Sequence, residues 1–270
     1  MTIPIIFQIF SLVHRVIKDQ KRLKRIVQET LEDFESNNCV YLELRTTPKP
    51  LQDLTKVEYI QTIENVIREY KGKMKTRLLV SINRAQSLEE AWENLQIAKN
   101  SELCVGLDFS GNPGVNKFKD FWPVFLEAKN SGIHITVHTA EIEDHQDTDN
   151  ILEFKPDRLG HCNFLTEQHE NTIKQFNIPI EICLSSNVLG LGIKLEDHHF
   201  RKLFRQGFKL AICTDDTLMF ETNLNKEFFI VQQEFQLGLE ELKEICRESA
   251  KMAFSEGVED LLGFLNEGNS

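Results

Sequence analysis

The feature that most constrains this chain is the alternation of short apolar segments with amphipathic ones. Seven segments rich in β-branched and apolar residues occur at residues 40–46, 77–83, 104–111, 134–141, 158–162, 178–186 and 209–216. Helical periodicity fills most of the intervals, as at residues 57–71, 88–99, 118–131 and 198–206. Near-continuous apolar strands that alternate with helices are typical of a parallel sheet covered on its faces. The pattern therefore predicts an α/β fold.

Polar residues capable of chemistry stand at the end of almost every predicted strand. Asn83, Asp108, His138, His161 and Asp215 are examples. An open sheet binds its ligand at one switch point between a few strands, whereas a barrel brings all its strand carboxyl ends to one mouth. The sequence therefore predicts a TIM-type (β/α)8 barrel. We expect seven of its eight strands in this chain, in a single domain over residues 1–270.

Composition narrows the classes of partner. The 270 residues are 41% hydrophobic, which is enough for one large core, and the formal net charge is -11. An acidic surface is unsuited to neutralising phosphate backbones or anionic lipid, so nucleic acids and membranes are not expected partners. The six cysteines include no Cys-x-x-Cys pair. This usage is typical of a reducing cytosol, and we predict a cytoplasmic protein.

The apolar start of the chain, residues 3–17, is predicted to be a core helix. It has no basic segment before it and no small-residue cleavage site, so a secretory signal is not indicated. Gln8, Ser11 and His14 recur every three residues, as one polar stripe on a mostly buried helix would. No apolar run in the chain reaches the roughly 18 residues that a membrane-spanning helix needs.

Imidazole and carboxylate groups gather at three of the predicted strand ends. His138 and Glu141 end one strand, His161 ends the next, and Asp215 and Asp216 close the last. Singly, each has an ordinary explanation, such as a hydrogen-bonded loop histidine or an aspartate that caps a helix. Together they are the ligands of a catalytic zinc, which keeps one position open for water. Zinc lowers the pKa of that water to about 7, so the sequence predicts a metal-hydrolase site.

Several ordered motifs, taken together, resemble those of the adenosine and AMP deaminase family. They read YLELRTTP at residues 41–48, GLDFSGNP at 106–113, VHTAE at 137–141, DRLGH at 157–161, EICLSSN at 181–187 and CTDD at 213–216. The resemblance runs from residue 7 to residue 254. The first motif and the helix FQIFSLVH at residues 7–14 are most similar to the adenosine deaminase-like branch, which acts on N6-methyl-AMP and related N6-substituted purine monophosphates.

The resemblance implies a role for each matching residue. His138 and Asp215 would bind zinc, and Glu141 would donate a proton to the purine ring. His161 would orient or deprotonate the attacking water, and Asp216 would hold that water and a ring nitrogen. The substrate would also be contacted by His14, Thr46, Thr47, Pro48, Lys49, Asn83 and the backbone of Gly111, where a Cβ would intrude.

Two of these substrate contacts carry further expectations. Lys49, beside two threonines, is chemically suited to a monophosphate. Asn83 stands where the branch usually has an acidic residue, which is a departure from the pattern.

The largest departure from the family is at the front of the chain. The family begins with a strand bearing His-x-His, which supplies two zinc ligands, and this motif is absent from the sequence. His198 and His199 are adjacent, so we expect their side chains to diverge and not to replace the motif. The resemblance thus implies an N-terminally truncated barrel with an incomplete zinc site. We expect poor zinc binding and slow or no turnover.

Three functions follow from these observations. The leading hypothesis is zinc-dependent hydrolytic deamination of N6-methyl-AMP to IMP and methylamine, or of adenosine or AMP. The alternative is a non-catalytic purine-nucleotide-binding or interaction protein that has lost the complete metal site. A third is another metal-dependent barrel hydrolase, while the zinc motif of cytidine-type deaminases is absent. Cys183 and Cys213 are predicted to pack in strands rather than bind metal, and the oligomeric state is not defined by the sequence.

Overall fold

Seven parallel strands form the centre of the molecule in a computed structural model that describes residues 3–266, without the side chains of residues 3–7, 264 and 266. They pair in sequence order, each with the next along the chain. Arg45 of the first strand reaches Glu181 of the sixth, with 2.6 Å between Nη2 and Oε2, so the sheet curls into a partial barrel. The prediction of an α/β barrel with seven strands is confirmed. The strands are β1 Tyr41–Thr46, β2 Lys75–Asn83, β3 Cys104–Ser110, β4 His134–Thr139, β5 Arg158–His161, β6 Ile180–Ile182 and β7 Leu210–Ile212.

Helices connect the strands and cover the outside of the sheet. Several begin at sequence-encoded caps: Thr55 and Glu58 form a capping box, as do Ser87 and Glu90. The helices are α1 Ile3–Val16, α2 Gln20–Ser36, α3 Lys56–Glu69, α4 Leu88–Asn100, α5 Phe118–Asn130, α6 His145–Phe154, α7 Glu167–Phe176, α8 Leu184–Leu191, α9 Phe200–Arg205, α10 Leu224–Phe235 and α11 Leu239–Lys251, with 3-10 helices at Leu195–Asp197 and Glu259–Asn266. None of the described helices is both long and apolar enough to cross a membrane.

The last two strands are shorter than the sequence predicts. The apolar run at residues 178–186 divides into the three residues of β6 and the start of α8. The fully buried Glu227 explains the division, because its Oε2 accepts the backbone N–H of Ser185, 3.2 Å away, in the first turn of α8. A carboxylate at a helix start is favourable for the helix dipole. The predicted strand at residues 209–216 likewise ends at Ile212.

The first helix forms as predicted, but it is not a core helix. Leu12 and Val16 are 53% and 65% exposed, and Gln8 and His14 are exposed as well. Only one side of the described part, with Ile9, is partly buried. Periodicity locates the apolar face of a helix correctly, but it does not say how much of that face a neighbouring element covers. Here α1 packs on α8 and borders the large cavity described below.

Candidate active site at the carboxyl ends of the strands

One large cavity, of about 1590 Å³, opens at the carboxyl ends of the strands and brings together almost all the residues that the sequence predicts for the site. Pro48 is the exception, because it is buried behind the cavity lining. The convergence follows from the fold, since parallel strands in a barrel place their carboxyl ends at the same mouth. The predicted residues that line the cavity are His14, Thr46, Thr47, Lys49, Asn83, Gly111, His138, Glu141, His161, Asp215 and Asp216.

The backbone is strained where three strands enter this cavity. Ala140 after β4, His161 at the end of β5 and Asp215 after β7 have φ angles of 51°, 61° and 55°. Such left-handed conformations cost non-glycine residues on the order of 1–3 kcal/mol each, and they concentrate at functional sites. The same three strand ends carry the predicted catalytic and metal-binding groups. Other non-glycine residues, including the helix C-caps Lys155 and Asn177, also have positive φ, so the strain coincides with the site but does not define it.

The acid and base groups of the site lie close to one another. His161 Nε2 is 3.9 Å from Glu141 Oε2, and the rings of His161 and His138 have centroids 5.1 Å apart. Glu141 Oε1 is buried and has no hydrogen-bond partner among the described residues. A buried polar atom without a partner is costly. Glu141 thus offers an unsatisfied carboxyl oxygen to whatever fills the cavity.

The adjacent aspartates after β7 have opposite electrostatics. Burial alone would raise the pKa of Asp215, but the nearby His161 and the hydroxyl of Ser186, 2.6 Å from Oδ2, hold it below its ordinary value. Burial and the charge of Asp215 raise the pKa of Asp216 well above its ordinary value. When two carboxylates lie side by side, their repulsion raises the pKa of one of them, so the two groups lose their protons at different pH values. The pair therefore supplies one charged acceptor, Asp215, and one protonated donor, Asp216.

The donors that could hold a metal only partly match the predicted set. Among the described residues, one ligand atom each from His161, Cys183 and Asp215 lie within 4.8 Å of one another, and this group does not include His138. Imidazole, thiolate and carboxylate are all zinc ligands. However, burial and the charge of Asp215 raise the pKa of Cys183 well above its ordinary value, which keeps its thiol protonated. The donor types fit zinc, while the packing role predicted for Cys183 stays a prediction.

His138 is held by groups to which sequence reasoning gave no role. Its Nδ1 lies 2.9 Å from Asp108 Oδ1, and its Nε2 lies 3.5 Å from the guanidinium of Arg45. Burial opposes a charge on this ring, but Asp108 outweighs burial and raises the pKa of His138 to about 9. A proton and a metal compete for the same imidazole. His138 must therefore lose a proton before it can bind zinc.

A buried chain of ion pairs crosses the barrel interior below the site. Arg45 bridges Asp108 and Glu181, with distances of 3.4 and 2.6 Å, and Arg158 pairs with Glu43 at 2.5 Å. Arg158 Nε also lies 2.9 Å from Glu181 Oε1. The sequence contained a sign of these ion pairs, because the charged residues interrupt predicted strands that are otherwise apolar. Buried charges persist only when paired, so charged residues inside predicted buried strands indicate mutual contacts.

The residues predicted to contact substrate lie on one side of the cavity, formed by α1 and the ends of β1, β2 and β3. Partial burial and the charge of Lys49 both lower the pKa of His14, which places these two groups near each other. Burial also lowers the pKa of Lys49, and no carboxylate lies within 4 Å of it in the described part of the chain. Gly111 has a φ of 101°, and a Cβ there would lie 2.6 Å from Asn83 Oδ1. A Cβ at Gly111 would therefore meet Asn83 first, and the close approach of the Gly111 backbone to a purine stays a prediction.

The expectation that His198 and His199 diverge is wrong. Their rings stack with centroids 4.4 Å apart and 29° between planes, because the pair spans the junction of a 3-10 helix and α9 rather than a regular element. His199 Nε2 donates to the carbonyl of His161 at 2.7 Å. His198 contacts Asn187, whose side chain also contacts His161. The pair thus supports a site residue, which sequence reasoning did not find.

A parallel α/β barrel with imidazole and carboxylate groups at its strand ends is the architecture of metal-dependent barrel hydrolases. Within that class the assignment is specific. The family model described as "Adenosine deaminase" matches residues 5–261, and the chain belongs to this family, as its motifs predicted.

Curated relatives and solved structures agree with this assignment. The "Adenosine deaminase-like protein" of Drosophila melanogaster is 34% identical over 94% of this chain and 78% of its own length. The "N6-mAMP deaminase" of Arabidopsis thaliana is 32% identical over 98% of this chain and 83% of its own length. A crystal structure of arabidopsis ADAL complexed with IMP superposes with a TM-score of 0.94 at 32% identity, over 98% of this chain and 83% of that one.

Proposed function

We propose that this chain is a purine deaminase that acts on N6-substituted purine monophosphates, converting N6-methyl-AMP and water to IMP and methylamine. Its relatives include proteins named as N6-methyl-AMP deaminases from plants and vertebrates. One related structure holds IMP, the product of the proposed reaction. The observation that carries the proposal is the convergence of Glu141, His161, Asp215 and Asp216 on a cavity that Lys49 also lines.

Each polar group in the cavity suits one step of this reaction. Asp216, which burial and Asp215 keep protonated, donates a hydrogen bond to a purine ring nitrogen. Glu141 has an unpartnered oxygen and transfers a proton to the ring as water adds to the carbon that bears the amine. Proton transfer by a positioned carboxyl is worth about 10²–10⁴-fold in rate. One proton of the water leaves with the amine, the other replaces the proton that Glu141 gave to the ring, and the oxygen of water stays on the ring.

Selectivity for a monophosphate is proposed to come from Lys49. Its ammonium is half-buried and has no carboxylate within 4 Å among the residues that the structure describes. A desolvated cation without a protein partner is stabilised by an anionic ligand. Thr46 and Thr47 border the same cavity and add hydroxyl donors. A nucleoside without phosphate would lose these contacts.

We propose zinc as the cofactor, held by His138 and Asp215 in this chain. When bound, zinc supplies hydroxide at neutral pH by lowering the pKa of coordinated water to about 7. His138 and Asp215 provide only two of the ligands that a catalytic zinc site normally draws from its protein, and the sequence contains no His-x-His. We therefore expect zinc to bind weakly to these 270 residues and turnover to be slow.

The incomplete zinc site also favours a second candidate, a purine-nucleotide-binding protein without catalysis. Arg45 lies 3.5 Å from His138 Nε2 and Asp108 lies 2.9 Å from Nδ1, so both ring nitrogens have protein neighbours. A pocket that keeps its shape through these contacts can bind a nucleotide without metal. The two candidates differ in turnover and agree in binding, and this difference makes them separable.

The test combines an absorbance assay with calorimetry. N6-methyl-AMP, AMP and adenosine are offered with added zinc, total zinc is determined on the same sample, and binding of IMP is titrated. The control pair is Glu141→Gln, which should abolish turnover, and Glu143→Gln, an exposed neighbour that should not affect it. Turnover of N6-methyl-AMP supports the deaminase, and IMP binding without turnover supports the binding protein. The absence of both turnover and IMP binding would refute both candidates.

Two broader properties are also proposed. One continuous sheet with one cluster of buried apolar residues supports a single domain over residues 1–270. The six free cysteines support a cytoplasmic location. Gel filtration and limited proteolysis test the first, since a single domain yields no stable half-sized fragment, and imaging of a tagged chain tests the second.

A further inference from the structure

A hydrogen-bond chain links His161 to a second, smaller cavity of about 500 Å³. Asn163, His198 and His199 line this second cavity, whereas His161 and Asn187 line the large one. The Asn187 amide lies between the two histidines: the structure places Oδ1 3.1 Å from His161 Nδ1 and Nδ2 3.0 Å from His198 Nε2. All three of these groups are buried. The protons in the chain are therefore fixed by the protein and not by solvent.

The hydrogen-bond chain ends at His198, where a backbone N–H determines which nitrogen of the ring carries the proton. The N–H of Phe200 donates to His198 Nδ1 at 3.1 Å, so Nδ1 must have a free lone pair. Burial and the positive charge of neighbouring histidines lower the pKa of His198 to about 3, and the ring is neutral. A neutral imidazole has one N–H, and it carries the other nitrogen as an acceptor. The proton of His198 is therefore on Nε2.

The proton on His198 determines the orientation of the Asn187 amide. The group 3.0 Å from His198 Nε2–H must accept, so it must be the amide oxygen, and the NH2 group must face His161. With Asn187 Nδ2 at this position, as placed in the structure, one of two clashes would follow. A proton on His198 Nε2 would meet the Asn187 NH2 group, and a proton on His198 Nδ1 would meet the N–H of Phe200. Amide oxygen and nitrogen have nearly the same shape, so hydrogen-bond demand decides between them.

Asn163 must turn together with Asn187. Its Nδ2 lies 3.2 Å from the Asn187 atom that faces His161, and its Oδ1 is buried without a hydrogen-bond partner among the described residues. When both amides turn, Asn163 Oδ1 accepts the second N–H of Asn187, so the contact between the two amides is kept. The Asn163 NH2 group then takes the buried position that Oδ1 occupied.

We propose that Asn187 and His198 are positioning residues that hold His161 in the tautomer with its proton on Nε2. His161 Nδ1 accepts from the Asn187 amide, and Nε2–H faces Glu141, 3.9 Å from Oε2, at the cavity. A ring in this state donates a hydrogen bond to an oxygen in the cavity and cannot take a proton from it at Nε2. Of the two roles expected for His161, orienting the attacking water is then the one it performs; this part rests on the proposed function.

The state of His161 is measured by NMR on the full chain with ¹⁵N-labelled histidine. Long-range ¹H–¹⁵N correlations distinguish protonated from unprotonated ring nitrogens. Spectra are recorded with chelator and at alkaline pH, where a free imidazole is neutral, and the signals lost in His161→Gln assign the ring. We expect a protonated Nε2 and a bare Nδ1 in the unmodified chain. A protonated Nδ1 in the unmodified chain would overturn the proposal.

Two variants test whether Asn187 imposes this state. A carboxylate only accepts, so Asn187→Asp keeps the bond from His198 and should transfer the His161 proton to Nδ1. The control is His145→Gln, because His145 is exposed and takes no part in the hydrogen bonds of Asn187; its replacement should leave the His161 signals unchanged. An Asn187→Asp protein that folds, by its amide spectrum, with His161 still protonated on Nε2 would refute the role of Asn187. The experiment needs neither zinc nor turnover, so failure of the deaminase assay cannot be mistaken for failure here.

Discussion

Asp108 Oδ1 lies 2.9 Å from His138 Nδ1 in the interior of the barrel, where Asp108 is fully buried. This contact fixes the Nδ1 side of the ring, as carboxylates that hydrogen-bond to metal-binding histidines commonly do, and leaves Nε2 3.5 Å from Arg45 Nη1. The same carboxylate accepts from Ser81 at 2.8 Å and pairs with Arg45 at 3.4 Å. Asp108 therefore links a predicted zinc ligand to the ion pairs that cross the barrel.

We predict that Asp108→Asn lowers the free energy of unfolding by about 3–5 kcal/mol, since it removes the carboxylate that pairs with His138 inside the barrel. Urea denaturation followed by circular dichroism measures the loss. Glu29→Gln is the control, because Glu29 pairs with Arg25 at 2.7 Å and the two side chains are 53% and 78% exposed, and exposed pairs contribute about 0–1 kcal/mol. Equal losses in the two variants would show that the buried pairs contribute no more than a surface pair.

Gly111→Ala should impair both stability and nucleotide binding. The new Cβ would lie 2.6 Å from Asn83 Oδ1, and the φ of 101° is unfavourable for alanine. Gly132→Ala is the control, because Gly132 has a φ of 77° but a Cβ added there would meet no atom within 4 Å. This control should cost only about 1–2 kcal/mol of backbone strain.

Thermal unfolding measures the stability of the two alanine variants, and titration with IMP measures their nucleotide affinity. We expect the Gly111 variant to lose more stability than the control and to bind IMP at least about tenfold more weakly, equivalent to about 1.4 kcal/mol. Adding Asn83→Ser should recover part of both losses by making room. Equal behaviour of the two alanine variants would contradict a clash with Asn83.

The sequence was sufficient to predict the sheet and the residues at its mouth. Apolar runs define parallel strands, and parallel strands in a barrel place their carboxyl ends together, so His138, Glu141, His161 and Asp215 could be grouped without a structure. The ends of β6 and β7 were less predictable. An apolar run does not show where a strand gives way to a helix, and the boundary at α8 depends on Glu227, which follows more than 35 residues later.

The supporting contacts of the site could not be predicted for a different reason. Asn187 contacts His198 and His161 through a short helix and a 3-10 turn, and neither has a sequence period from which side-chain direction can be read. The same limit explains the error for His198 and His199, which were assigned to a regular helix. The prediction that α1 is a core helix was wrong because periodicity does not report which neighbour covers a helix face.

Lys49→Gln should reduce binding of a monophosphate while leaving binding of the nucleoside unchanged. Lys49 lines the cavity and has no carboxylate within 4 Å in the described part of the chain. A hydrogen bond to a charged group contributes about 1.5–3 kcal/mol, so IMP affinity should fall by about 10–100-fold. Calorimetry with IMP and inosine measures the difference, and the exposed Lys71→Gln is the control. Equal losses for IMP and inosine would place the phosphate elsewhere.

His198 should make the protein less stable as pH falls below neutral. Its side chain is 3% exposed, and burial and the charge of His199 lower its pKa from 6.5 to about 3. The unfolded chain therefore binds one more proton than the native one between these values, and His198 contributes stability that is complete above pH 6.5 and is lost as pH falls toward 3. The expected contribution to the slope is about 1.4 kcal/mol per pH unit.

His198→Asn should remove this contribution to the slope whatever its effect on absolute stability. The measurement is the urea unfolding free energy at several pH values between about 4 and 7, for the variant, the unmodified chain and His145→Gln. His145 is exposed, so its replacement should leave the slope unchanged. Parallel pH profiles for His198→Asn and the unmodified chain would mean that His198 binds as many protons in the native state as in the unfolded one, so that burial does not keep the ring neutral.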